Sequence, residues 1–398
     1  MSPAAWIFWG CAVMAIYAYF GYPALLWIWL RLRGEGTPSS DEHRESAISH
    51  PPVSLIIPAY NEEAVIAHKI RNSLDLEYPA AKLEIVVVSD GSNDATEAVA
   101  RRAASDRVKL VFRQDREGKT ACLNAVLGEL SGDLFVFTDA NAFFHPDALQ
   151  RLVAPFTDPG VGCVMGILEY RREGSLNASL GEGLYWRYEN LLKELESRLG
   201  STIVGNGAIY AMRRRLCHPL PREAEADVAY PLLALRSGFR VVFERRARCW
   251  ERAAASVREE FGRKARIITK QIATYRHPAA GGGPLPGGAV FQILSHKVAR
   301  WLVPLALGGM FVASAADSRL LRAAWLAQAV FYVLAGTGAL LESLGRRIPR
   351  ICFVPYYFCA VNAASVKAML DYARGERGVV WEKAPSTRLA SENGKTHE

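Results

Sequence analysis

The residues from Ala4 to Leu30 carry no charge. That run, roughly 27 residues rich in aromatic side chains, can cross a hydrocarbon core of about 30 Å as a tilted helix. A single segment in lipid must satisfy its own backbone polar groups, and only a helix does so. A secretory leader fits poorly: the run lacks a basic n-region and a small-residue cleavage site, and it is too long. Arg31 and Arg33 follow directly, which predicts that the next segment lies in the cytoplasm. Half of all residues are hydrophobic and 22% are charged, so the apolar content must be concentrated. It returns as three further segments, Val298–Ala316, Leu320–Leu341 and Ile351–Leu370. The third carries Asn362 and Lys367, and two readings stand for it: a span, or a helix lying in or re-entering from the interface. Arg346, Arg347 and Arg350 place the loop before it inside. With all four segments spanning, both termini end outside.

The net charge of +8 raises the question of nucleic acid, but the bases flank apolar segments and no motif that reads bases is present. The seven cysteines are dispersed, with no CxxC or Cys/His ligand spacing. This predicts a reducing compartment and no structural zinc.

Between the apolar ends the pattern changes. Four short runs, Val53–Pro58, Leu83–Ser89, Val108–Arg113 and Leu134–Thr138, are continuously apolar or β-branched. Helical stretches at 62–76, 94–105 and 119–130 separate them. This alternation predicts an α/β domain with a mostly parallel sheet covered on both faces. The expected divisions are a membrane helix over 1–33, a linker over 34–50, the α/β domain over 51–255, an interfacial amphipathic helix with a Gly/Pro loop over 256–297, membrane or interfacial helices over 298–371 and a polar tail over 372–398. The His277–Gly288 stretch is expected to be a flexible loop or gate.

Polar residues that follow the strands gather at the carboxyl edge, where α/β sheets bind ligands. Pro58-Ala-Tyr-Asn-Glu62 follows the first strand, and Asp90-Gly-Ser92 the second. Asp-Gly is also a turn signal in its own right. Gly118-Lys119, followed by Leu123-Asn124, puts a cation at a helix start, where a diphosphate would be favoured. It lacks P-loop spacing. Asp139-Ala-Asn141 offers two oxygen ligands on one side of an extended chain, enough with phosphate oxygens to hold Mg²⁺ or Mn²⁺; an Asx turn is the alternative. Glu225-Ala226-Asp227 precedes an apolar stretch, as a helix cap or as a general base.

In order and spacing these motifs, with Gly205-Asn-Gly-Ala-Ile-Tyr-Ala-Met-Arg213-Arg214 between the last two, resemble the membrane-bound family 2 glycosyltransferases. The likeness is to the group of cellulose and poly-N-acetylglucosamine synthases, and it runs from about Val53 to the membrane segments. It implies a GT-A fold, a UDP-sugar donor, Mg²⁺ or Mn²⁺ and an inverting displacement. Carried over residue by residue, Ala59, Tyr60, Glu62 and Asp90 would line the nucleotide pocket, and Lys119 and Asp139 would face the diphosphate. Asp139 and Asn141 would hold the metal, Asp227 would be the base, and Gly205, Asn206, Gly207 and Arg213 would meet the acceptor. Two departures stand out. Ala226 replaces the acid before the base, and Asn141 stands where the second acid of the family's DxD usually is. The processive synthases' QxxRW is reduced to Gln271 and Arg276 within a basic stretch (Arg263, Lys264, Arg266, Lys270), read here as a headgroup anchor. The resemblance thus implies a hexosyltransferase at the cytoplasmic (inner) membrane, acting on a polysaccharide or lipid-linked acceptor in envelope or extracellular polysaccharide synthesis, with membrane lipids and subunits of a polysaccharide export system as partners and no nucleic acid. A non-processive glycolipid-forming enzyme and an inactive sugar-nucleotide-binding scaffold are the alternatives.

Overall fold

The computed structural model describes residues 2–34, 50–171, 178–253, 256–276, 283–315 and 319–376. Residues 35–49 of the linker, 277–282 of the expected gate and 377–398 of the tail lie outside these.

The α/β domain is built on one eight-stranded mixed sheet in the order β3-β2-β1-β4-β7-β6-β8-β5. Strands β1 (Val53–Ala59), β2 (Leu83–Asp90), β3 (Val108–Arg113) and β4 (Leu134–Phe137) are parallel, as expected from their continuous apolar character. β7 (Tyr210–Arg213) runs antiparallel to both β4 and β6 (Val161–Arg171). β8 (Arg240–Arg252) pairs parallel to β6 across two register shifts, and β5 (Phe143–Phe144) closes the edge.

Every residue of β1 is buried, because both faces of the sheet are covered. The period of two sorts the side chains. Leu55, Ile57, Ile85 and Val87 pack with helices α3 (Ile66–Leu74) and α6 (Ala148–Val153) on one face. Ile56, Val86 and Val88 pack on the other with α5 (Lys119–Val126) and α8 (Ala226–Arg236). Helix α4 (Thr96–Ala103) joins β2 to β3. Since β2 and β4 flank β1 on opposite sides, the carboxyl ends of β1 and β4 bound a crevice of the kind that holds ligands in α/β folds.

Helices α1 (Pro3–Ile16) and α2 (Tyr22–Leu32), joined by a π turn at Tyr17–Gly21, form one continuous rod. A second rod combines α10 (Gly287–Gln292), a π turn at Ile293–Val298 and α11 (Ala299–Ser314). With α12 (Arg319–Ser343) and α13 (Arg350–Ala373) these make four helices long and apolar enough to cross a membrane. The third apolar segment therefore has the length and composition of a span. The first of the three is longer than the sequence suggested, extending back through Gly287. Helix α7 (Ala178–Arg198) ties the two parts together, with Leu192 and Leu195 packed on Tyr22, Leu26 and Leu30.

Beneath the domain, α9 (Val257–Arg276) packs along α13. Its bases are not spread on a headgroup surface. Lys264 and Lys270 are buried, and Arg263, Lys264 and Lys270 pair with Glu260, Glu251 and Glu225. The reason is charge compensation across the fold: these three bases find carboxylates on the domain or on their own helix, which offsets the cost of burial.

Candidate active site

Asp90, at the end of β2, is 1% exposed. Its two oxygens accept the backbone N–H groups of Glu117 (2.9 Å) and Gly118 (2.8 Å). The chain there must turn through φ 99° at Gly118, a conformation that L side chains avoid. Helix α5 then opens at Lys119, whose Nζ reaches Asp139 Oδ1 at 2.5 Å. Burial alone would lower the Lys119 pKa, but the carboxylates of Asp139, Asp227 and Glu225 outweigh it and hold the ammonium above its usual value. Two further side chains of α5 fasten the segment that carries the expected base. Thr120 Oγ1 donates to the Ala224 carbonyl at 2.7 Å, and Asn124 exchanges two bonds with Leu220, at 2.7 and 2.9 Å.

The Asp139–Asn141 turn is held from behind by Lys69. This lysine is fully buried on α3, donates to Thr138 Oγ1 (2.9 Å) and to the Ala142 carbonyl, and lies over the Phe144 ring. Burial pushes its pKa down to about 7. Sequence reading missed Lys69; the available signal was a lysine on the same helix face as the apolar Ile66 and Ile70. Asn141 Nδ2 points to Glu251 Oε2 (3.4 Å), and Glu251 accepts from Arg263 (3.2 Å). The turn is thereby linked to α9.

Asp227 stands in the first turn of α8. Its Oδ1 is buried without a hydrogen-bond partner among the described residues. Burial first, then the neighbouring Glu225 carboxylate, raises its pKa to about 7. Glu225 goes the other way: burial opposes its charge, but Lys270, 3.2 Å away, Lys119 and Arg266 hold it below the usual range. Two carboxylates two residues apart are thus driven to opposite protonation behaviour, and Asp227 is the one poised to accept a proton near neutrality.

Opposite them lies the Gly205–Gly207 loop. Asn206 shapes it, accepting from the Ala208 and Ile209 N–H groups (3.1 Å each) and donating to Gly166. A Cβ on Gly205 would stand 2.4 Å from the Asp227 carbonyl oxygen, and one on Gly207 would stand 2.7 Å from Lys119 Nζ. Pro231, inside α8, supplies no N–H to that same Asp227 carbonyl four residues back.

One cavity of about 730 Å³ gathers Glu62, Lys119, Asp139, Asn141, Asp227 and the Gly205–Gly207 loop. It continues to Arg350, Phe353 and Val354 of α13. Gln271 of α9 and Trp301 of α11 also line it, so a tryptophan absent from the α9 sequence is present in space from another helix. Ala59 and Tyr60 lie beside this cavity at the end of β1, with the Arg116 guanidinium 3.9 Å from the Tyr60 ring centroid. Arg213 stands apart. Its guanidinium donates to the Val161, Phe156 and Asp158 carbonyls (2.7–2.9 Å), bracing the start of β6.

The donor set fits a divalent ion only in company with phosphate. Among the described residues no three His, Cys, Asp or Glu side chains converge as a metal cage. Asp139 uses one carboxylate oxygen on Lys119, which leaves Oδ2 for an ion. With Asn141 Nδ2 on Glu251, its Oδ1 makes no hydrogen bond among the described residues. Ions such as Mg²⁺ are held in this way, by one or two protein oxygens plus substrate phosphates.

Residues 54–218 match the sequence model of Glycosyl transferase family 2. An N-acetylglucosaminyltransferase of Rhizobium leguminosarum bv. viciae is 27% identical over 209 residues, 48% of this chain and 49% of the relative. A beta-monoglucosyldiacylglycerol synthase of Trichormus variabilis is 37% identical over 125 residues, 30% of this chain and 27% of the relative. The chain thus spans about half or less of the length of these curated relatives. Among solved structures, the mannosyltransferase PcManGT of Pyrobaculum calidifontis, in complex with GDP-Man and Mn²⁺, superposes with a TM-score of 0.67 at 24% identity, covering 92% of this chain and 99% of that one. Within the α/β domain, residues 54–218 thus match the family 2 glycosyltransferases, and the domain has the GT-A fold.

Proposed function

We propose that the protein is an inverting hexosyltransferase that moves a sugar from a UDP-sugar to an acceptor hydroxyl at the cytoplasmic face of the inner membrane. The observation that carries this reading is the convergence of Lys119, Asp139 and Asp227 on one cavity that runs on to the membrane-length helices. Asp227 takes the hydroxyl proton as the acceptor oxygen bonds to the anomeric carbon. The bond from that carbon to the diphosphate breaks, and its electron pair leaves on the diphosphate oxygen. Lys119 meets the charge developing there. A divalent ion held by Asp139 and Asn141 would add further positive charge to the leaving diphosphate. Ala59, Tyr60, Glu62 and Asp90 form the nucleotide side, Asp90 through the loop it holds. The Gly205–Gly207 loop faces the acceptor. The acids kept in register speak against an inactive scaffold. The cavity's reach to α13 favours a glycolipid-forming enzyme over one that extends a free glycan chain.

Nucleoside diphosphate release by the protein in nanodiscs tests the reading, with a panel of UDP-sugars beside GDP-mannose, the donor named for the Pyrobaculum structure. Release with one UDP-sugar and either Mg²⁺ or Mn²⁺ is expected. Asp139→Asn should cut that rate by about 10²-fold or more and raise the metal concentration needed. Release with GDP-mannose alone would overturn the uridine assignment. No release with any donor, metal and lipid would sink the reading as a whole.

Gly207→Ala offers a finer probe. The added methyl would displace the Lys119 ammonium, the movable end of a flexible side chain, and would lie 3.4 Å from Asp139 Oδ2. The fold should survive while the donor KM rises about tenfold, the scale of one lost charged hydrogen bond. An unchanged KM would mean that Lys119 does not hold the donor.

A further inference from the structure

Between Asp227 and α13 the cavity wall changes character. Trp186, Phe353, Tyr357, Phe358 and Val361 line it. Val354 both lines it and is 59% exposed. The cavity is therefore open beside Val354, on a helix long and apolar enough to cross a membrane. A purely polar acceptor gains nothing from such a mouth, whereas a hydrocarbon chain can leave by it.

Inside this apolar stretch sits Lys193 of α7. It is 0% exposed, and its Nζ has no hydrogen-bond partner among the described residues. The rings of Trp186 and Phe243 lie 5.3 and 5.6 Å from the ammonium. The acids around it are already engaged. Glu196 accepts from Tyr22 and Thr202 and meets His296, while Glu189 meets His296, Lys297 and Arg300. Arg300 faces the same cavity, and its Nη1 is likewise buried without a described partner. Arg350 lines the cavity from the first residue of α13. A buried ammonium that no carboxylate pairs is costly to maintain, and an anion arriving with a ligand would supply the missing partner. The donor's diphosphate is accounted for at the other end, by Lys119 and Asp139.

We propose that this stretch is the acceptor subsite and takes a phosphate-bearing lipid, its phosphate on Lys193 and Arg300 and its hydrocarbon leaving past Phe353 and Val354. The assignment rests on the transferase reading above. It also makes a claim that can fail alone, namely that an anionic lipid binds here without any donor.

The test is equilibrium binding of labelled dioctanoylphosphatidic acid to the purified full-length chain, beside dioctanoylglycerol, which differs only in lacking the phosphate. Saturable binding of the phosphatidic acid is expected, with the neutral lipid about tenfold weaker or worse. Lys193→Met should remove that difference, and Lys193→Arg should restore much of it. Because Met relieves an unpaired buried charge, its Tm should hold or rise, so lost binding would not be lost folding. Val354→Trp, remote from the charges, should weaken both lipids by narrowing the mouth. Equal binding of the two lipids, or a Lys193→Met variant that binds phosphatidic acid like the wild type, would overturn the proposal. So would a variant that loses binding only together with its Tm. Displacement of the label by inorganic phosphate as effectively as by unlabelled phosphatidic acid would overturn the lipid assignment in favour of a free anion. A polyisoprenyl monophosphate arm that competes supports it, and its potency beside unlabelled phosphatidic acid separates an isoprenoid hydrocarbon from a diacyl one. Donor consumption, measured separately, reports on the transferase reading whichever way the lipid assay falls.

Discussion

Asp227→Asn is expected to lower kcat by about 10²- to 10⁴-fold, the range for loss of a positioned general base, with donor affinity little changed. The pH profile should identify the group. The Asp227 carboxyl is raised to about 7 by burial and by Glu225, so its basic form is present above that pH and lost below it. Wild-type kcat/KM should fall on acidification through about 7, and the residual activity of the Asn variant should show no such limb. Stability supplies a control with the opposite sign. An acid whose pKa is raised on folding contributes stability at low pH, and that contribution is lost as pH rises through the folded value. At pH 8 the Asn variant should therefore be at least as stable as the wild type, an advantage that vanishes below about 4, the unfolded carboxyl value. An Asn variant that keeps wild-type kcat would transfer the base to another group, with Glu225 the nearest candidate.

The second large effect is structural. Glu189→Ala should destabilise the protein by about 3–5 kcal/mol, because it leaves buried cations without their counter-charge. Glu189 Oε2 lies 3.3 Å from both His296 Nε2 and Lys297 Nζ, and the Arg300 guanidinium pairs with the other oxygen. Burial would raise the Glu189 pKa, yet these three bases hold it well below the usual range. The carboxylate joins α7 of the α/β domain to the α10–α11 rod, so its loss acts where the domain meets the membrane-length helices. A marked fall in apparent Tm, partly reversed by adding Arg300→Met, is expected in thermal scans. A Glu189→Ala variant with unchanged Tm would show that water replaces the pair without cost.

The parallel half of the sheet was legible because its strands announce themselves. Val53–Ala59 and Leu83–Asp90 are apolar without interruption, which only a doubly covered strand permits. The acids at their ends then fall where ligands bind, so Asp90, Lys119, Asp139 and Asp227 could be named from spacing and resemblance. The antiparallel half was not legible. β7 has only four residues, and β6 pairs with β8 across register shifts that no local pattern encodes. The inward turn of α9 was missed for a similar reason. Its bases read as a lipid-facing charge run until Glu225 and Glu251, distant in sequence, are seen to meet them. Lys69 and Glu189 were hidden in the same way, their partners lying some 70 to 110 positions along the chain.

The backbone around Asp227 carries a consequence for how this sequence can drift. Pro231 withholds the amide that would ordinarily tie down the Asp227 carbonyl, and Gly205 lacks the Cβ that would stand 2.4 Å from that oxygen. The two positions lie far apart in the chain yet meet at a single peptide group. An alanine at 205 would push the base off its mark. A residue with an amide at 231 would pull the same carbonyl back into the helix and open a gap beside the glycine. In descent, then, neither position is free to vary on its own. Lineages in which one has changed should also carry a change at the other, or have lost the reaction.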